Sequence, residues 1–197
     1  MVVTGTGYQT TQPFKVPSAD WILGWTLTGD PQFADATFFI YSSSGRRVDS
    51  VDAKPGTDSA TIHAGKDVFF MEILDANASY KLTVTAKYPG PDDVFSLPAM
   101  SPVTVVSGSG DKSSPTFHVT GSVWRITIQT GTPSQYTSVT AYVVKAGETS
   151  DTSEASVEGA QGGSTATSYV YAGPGDYYIK VLSANTTWTV TVEQTTT

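Results

Sequence analysis

Residues 105–119, VVSGSGDKSSPTFHV, bring Gly108, Gly110, Lys112, Ser113 and Ser114 together. Glycine backbone, a lysine and hydroxyls are the parts of a phosphate cradle. The order is wrong for one. A phosphate-binding loop needs G-x-x-x-x-G-K-[ST], with glycine directly before the lysine and a helix after it. Here Asp111 separates Gly110 from Lys112, and the following FHV alternates as a strand. Residues 2–16, VVTGTGYQTTQPFKV, repeat the pattern without a lysine at that point. An element kept by both segments serves a shared fold. The stretch therefore reads as the leader of a repeated module, flexible at its glycines and extended from Phe117.

Other reactive side chains are equally sparse. His63 lies in ATIHAG and His118 in FHV, and neither has a metal-ligand spacing such as H-E-x-x-H. No G-x-S-x-G marks a nucleophilic serine, and there is no cysteine. Glu72 falls mid-strand, Asp92 and Asp93 fall in a connector, and Asp30, Asp35, Asp49 and Asp52 fall in turns and loops. These read as solvated charges rather than a glycosidase pair. Loop carboxylates suit a hard cation, so structural calcium is the one metal reading, with no ligand set to assign. No catalytic residue and no other cofactor is expected. Four outward-facing aromatics, Phe70, Tyr169, Tyr171 and Tyr178, are candidates for stacking on sugar rings. Trp21, Trp25, Trp124 and Trp188 sit on apolar-alternating positions and belong to the core.

The only two asparagines, Asn77 in NAS and Asn185 in NTT, both fit the N-glycosylation sequon. Asparagine also tolerates a left-handed backbone, so the alternative is turn chemistry at a hairpin between two strands.

The elements that would position these residues follow from periodicity. WILGWTLTG, RITIQT, KLTVTAK and WTVTVE all alternate with a period of two, the mark of half-buried strands. No segment has a helical apolar stripe. TSDTSEASVEGAQ comes nearest, and its hydroxyls and terminal glycine make it a loop. The chain is also a duplication. Val2, Gly5, Gly7, Phe14, Val16 and Trp21 fall on Val105, Gly108, Gly110, Phe117, Val119 and Trp124. AGKDVFFMEILDANASYKLTVT lies over AGPGDYYIKVLSANTTWTVTVE without a gap. The expectation is an all-β protein of two tandem homologous β-sandwich domains, jelly-roll or immunoglobulin-like, at 1–88 and 105–197. A semi-stiff connector at 89–104 joins them, with Phe95, Leu97 and Met100 packing it against one domain.

These core positions resemble the bacterial pre-peptidase C-terminal domain and similar small secreted jelly-roll modules. The likeness rests on Gly175, Tyr177, Tyr178, Val181, Trp188, Val190 and Val192, answered in the first copy by Phe69, Phe70, Ile73, Tyr80, Leu82 and Val84. It implies a sandwich fold and an accessory role in a secreted protein, with calcium or matrix polymers as ligands in some relatives.

Bulk properties narrow the partners. The formal charge is −7, and Arg46-Arg47 is the only adjacent basic pair, so nucleic acid and anionic membranes lack a docking face. No apolar run approaches the ~20 residues of a membrane span. Charged residues make up 15%, against about 25% in a typical domain. MVVTGTGYQT lacks the basic and apolar regions of a signal peptide. The expectation is a non-catalytic structural, adhesive or assembly protein, extracellular or on a cell or particle surface. It would form a homo-oligomer or filament through strand edges. The alternative is a carbohydrate- or matrix-polymer-binding module of a longer secreted protein.

Overall fold

The computed structural model describes residues 1–86, 99–132, 137–149, 153–159, 163 and 165–195. Every regular element among them is a β-strand. The chain forms two compact units, Met1–Leu97 and Pro98–Thr197. The first holds β1 Val2–Thr6, β2 Gln9–Thr10, β3 Phe14–Val16, β4 Trp21–Gly29, β5 Asp35–Ser42, β6 Arg47–Ala53, β7 Gly56–Ile62, β8 Asp67–Ala76 and β9 Ala78–Ala86. The second repeats them as β10 Met100–Ser109, β11 Lys112–Ser113, β12 Phe117–Val119, β13 Trp124–Thr130, β14 Ser138–Lys145, β15 Ala155–Gly159, β16 Thr165–Val170, β17 Gly175–Ala184 and β18 Thr187–Thr195. No helix among the described residues is long and apolar enough to cross a membrane.

Strand order identifies the sandwich. In the first unit one sheet runs β1-β9-β4-β7 and the other β2-β8-β5-β6, with β3 also pairing β8. β2 and β3 therefore act as one broken strand. The second unit has the same two sheets, β10-β18-β13-β16 and β11-β17-β14-β15, with β12 on β17. All pairings are antiparallel. The chain changes sheet at every connection except β2–β3 and β5–β6, or their counterparts. Two four-strand sheets wound this way are a jelly roll; an immunoglobulin sandwich places its strands in a different order.

Alternation puts the core where expected. Trp21, Leu23, Trp25 and Leu27 point inward from β4, as do Trp124, Ile126 and Ile128 from β13. Phe14 meets Trp21 edge-on with ring centroids 5.7 Å apart, and Phe117 meets Trp124 the same way at 5.9 Å. Phe69 in one copy and Tyr177 in the other close each cluster.

Four local expectations are corrected. The leader segments are not flexible hinges but paired strands, β1 and β10, each ending in a corner. Gly5 and Gly108 lie so close to the last strand that a Cβ would stand 2.6 Å from the Tyr80 hydroxyl or 2.9 Å from the Trp188 ring. Gly7 and Gly110 then take φ of 72° and 69°, which lets the chain turn into the opposite sheet. Asn77 and Asn185, at φ 53° and 57°, also make sheet-to-sheet corners rather than hairpins, because β8 and β9 belong to different sheets.

The other two corrections concern strands hidden by composition. Met100–Thr104, placed in the connector, are strand: Met100, Ser101 and Pro102 pair with Thr195, Gln194 and Glu193. A register shift between Pro102 and Thr104 follows, and an edge position tolerates the proline because its missing N–H faces no partner. The segment read as a loop, TSDTSEASVEGAQ, contains β15, where Ala155 and Val157 face the core. Asp92, Asp93, Phe95 and Leu97 lie outside the described residues.

Candidate functional site

Two features are candidates: the sheet edges and one sheet face. At one edge of the first unit, β6 carries Arg47, Asp49 and Asp52, and β7 carries Asp58. Charges on an edge oppose pairing with a foreign strand, because pairing would desolvate them. The opposite edge is different. β1 (VVTGT) has no charged residue, and its counterpart β10 (MSPVTVVSGS) has none over ten positions. β16 also lacks charge, but Ser168, Tyr169 and Val170 on it are buried. Among the described residues β1 pairs only with β9, and β10 only with β18. Val2 and Val105, at matched positions, are 62% and 58% exposed. An exposed valine is not required by the core, yet both copies hold one at the same place.

The face is the outer side of β8, β5 and β6. Phe38 and Ile40 point inward, so Phe39 and Tyr41 point out. Across the ladder Tyr41 faces Phe70 and Phe39 faces Glu72. The Tyr41 and Phe70 rings stack with centroids 5.1 Å apart and planes 9° from parallel. The Tyr41 hydroxyl donates to Glu72 Oε2 at 3.0 Å. β6 contains a bulge here: Ile40 pairs Asp49 but Tyr41 pairs Arg47, leaving Val48 extra. A bulge re-aims its neighbours, and the Arg47 guanidinium stands 5.4 Å over the Phe39 ring centroid. Tyr8 joins the group, hydrogen-bonded to the Thr10 side chain and close to Glu72.

Burial, then the hydrogen bond to Glu72 and its charge, push the Tyr41 phenol up to about 12. Its folded value thus exceeds the unfolded value of about 10. A raised phenol contributes stability below pH ~10 that is lost as pH climbs through about 12. Phenolate absorbance should accordingly keep rising towards pH 12, and Tyr41→Phe should diminish that late rise.

The four aromatics expected to face a ligand divide. Phe70 is on the outer side but only 5% exposed, because Tyr41 lies flat against it. Tyr169 is 6% exposed and hydrogen-bonds Arg125, its cross-strand neighbour, which is itself paired to Glu193 at 2.7 Å. Both are corrected to packing residues. Tyr171 is half-buried, and burial raises its phenol. Tyr178 is half-buried, with its hydroxyl donating to the Glu148 carbonyl at 3.2 Å. Reading the sequence missed Phe39, Tyr41 and Arg47. The available signal was FFIY, where a buried Phe38/Ile40 pair forces two aromatics to the other side.

The histidines are exposed and each meets one carboxylate: His63 Nδ1 is 2.8 Å from Asp20 and His118 Nδ1 is 2.7 Å from Asp176. Among the described residues no three His, Asp or Glu side chains converge. Lys112 Nζ donates to the Ser107 carbonyl at 2.9 Å. Asn77 and Asn185 are exposed. Their positive φ explains asparagine there, so Asn77→Ala should cost about 1–2 kcal/mol and Asn77→Gly little. Urea denaturation checks this, and intact mass of protein from its natural source checks for glycan at both positions.

No family model matches the chain, and no curated protein matches it. Among solved structures it is similar to the PBSX exported protein XepA, with 12% identity, TM-score 0.29, and coverage of 98% of this chain and 83% of that one. It is also similar to the N-terminal CBM22-1–CBM22-2 tandem domain of Xyn10C from Paenibacillus barcinonensis, with 11% identity, TM-score 0.28, and coverage of 91% and 79%.

Proposed function

We propose that the chain is a non-catalytic structural and adhesive protein, working outside a cell or on the surface of a larger particle. It assembles by adding strands across the free edges of β1 and β10. The observation that carries this reading is the contrast between edges of one unit: β6 and β7 are charged, while β1 bears no charge and exposes Val2. An unguarded edge is a template for another strand, whose backbone supplies the missing hydrogen bonds. The neutral partner that fits is the equivalent edge of a second copy. No cofactor enters this reading.

Light scattering across a concentration series, with electron microscopy, tests it. The wild-type chain should form oligomers or filaments. Val2→Lys with Val105→Lys places a charge on each edge at an exposed position. That double variant should stay monomeric with its melting temperature unchanged. A wild-type chain that is monomeric at high concentration would overturn the reading, as would a double variant that assembles equally well.

A further inference from the structure

We infer that the outer face of β8, β5 and β6 is a binding site for a neutral polysaccharide. It is separate from the β1 edge, which lies in the other sheet. A sugar ring presents apolar C–H faces and a rim of hydroxyls. Its recognition needs aromatic surface next to groups that both donate and accept hydrogen bonds.

This face supplies both within a few residues. Phe39, Tyr41 and Tyr8 are half-buried. Glu72 takes the Tyr41 hydroxyl on one oxygen, and its other oxygen has no hydrogen-bond partner among the described residues. Arg47 is exposed; its guanidinium stands over the Phe39 ring, and among the described residues its fork of donors makes no hydrogen bond. The Tyr41–Glu72 hydrogen bond holds the carboxylate in place, which reduces the ordering cost on binding.

The charges decide the ligand class. Glu72 and Arg47 stand beside the rings, and Asp52, bonded to Thr37, and Asp35, paired to Lys54, lie further along the same strands, so charges of both signs are mixed and no strong field of either sign arises. The chain as a whole is −7, which disfavours an acidic polymer. The strands β2, β8, β5 and β6 lie side by side at about 4.8 Å spacing, so the face is roughly 14 Å across. That suits an extended chain of a few sugars rather than a single ring.

The second unit is the internal comparison. Its corresponding pairs are Val144 opposite Tyr178 and Tyr142 opposite Lys180. Valine replaces Tyr41 and lysine replaces Glu72, so the hydroxyl–carboxylate pair is gone. The site belongs to the first unit alone, and no requirement of the shared fold explains it.

The test is affinity electrophoresis and calorimetry of the full chain against cellulose oligomers, xylan, β-glucan, mannan and soluble starch, with polygalacturonate as the acidic comparison. At least one neutral polymer should bind. Arg47→Ala removes an exposed guanidinium and Glu72→Gln replaces a half-buried carboxylate by a neutral amide; each should weaken binding about tenfold. Phe39→Ala should abolish it, and Tyr142→Ala in the second unit should change it less than twofold. Val2→Lys with Val105→Lys should bind as wild type, which separates this site from assembly. Binding to none of the neutral polymers would overturn the inference. So would binding to polygalacturonate alone, or neutral binding indifferent to both Arg47→Ala and Glu72→Gln.

Discussion

Trp124→Ala should destabilise the second unit by about 3–5 kcal/mol. Trp124 is fully buried, edge-on to Phe117 and tilted against Tyr177. Its removal strips those two rings of their shared neighbour and leaves a cavity between the sheets. Domains of ordinary stability hold 5–15 kcal/mol, so the loss is a large share of the total. The indole adds a detail. Its Nε1 is buried with no hydrogen-bond partner among the described residues, and the same is true of Trp21. An unmade buried hydrogen bond costs about 1–3 kcal/mol. Trp124→Phe removes that N–H along with part of the ring, and the two effects oppose each other. It should therefore cost less than half of what Trp124→Ala does. Urea denaturation of both variants checks the ranking, and equal losses would show that the orphan N–H has no weight.

Gly29→Ala should cost about 1–3 kcal/mol, the usual penalty for overpacking. A Cβ at Gly29 would stand 2.5 Å from the Ala34 Cβ and 2.6 Å from the Asn77 carbonyl oxygen. Neither can swing aside, since one is anchored to the start of β5 and the other is backbone. Gly24 makes the control. Its Cβ would meet Thr83 Oγ1 at 2.7 Å, the end of a side chain that can rotate. In a strand interior alanine also gains over glycine in chain entropy. Gly24→Ala should therefore be near neutral. Melting temperatures of the two variants give the comparison, and Gly24→Ala matching Gly29→Ala would undo the argument.

Much of this fold was readable before any coordinates. WILGWTLTG declares its inward face because four large apolar residues alternate without a break. The duplication doubles the evidence at every anchor. Sheet membership was not readable. Nothing local in VVTGTGYQT says that β1 joins one sheet and β2 the other; the corner at Gly7 depends on Asp75, whose carboxylate takes the Gly7 N–H at 2.8 Å from far along the chain. β15 escaped notice because an edge strand with two inward residues, Ala155 and Val157, leaves too short a pattern. The candidate face was half legible. Alternation correctly put Phe70 outside, but outward is not exposed: a cross-strand tyrosine covers it. Tyr41 was legible from the strand period of FFIY, whereas Arg47 was not, because a bulge rather than the period sets it over Phe39.

The order β1-β9 also determines when each unit can close. Val2 pairs with Thr83, so the first strand waits for nearly the whole unit before it finds its neighbour. At synthesis rates of about 5–20 residues per second, that wait is roughly 4–16 s. Topologies this non-local fold in milliseconds to seconds once complete. During the wait β8 can pair with β5, but its inward Phe69, Met71 and Ile73 face an opposite sheet that still lacks β9 and the β1 pairing. A nascent chain halted before Ala78 would hold every inward residue of β4 and β5 and still be unable to seal its sandwich.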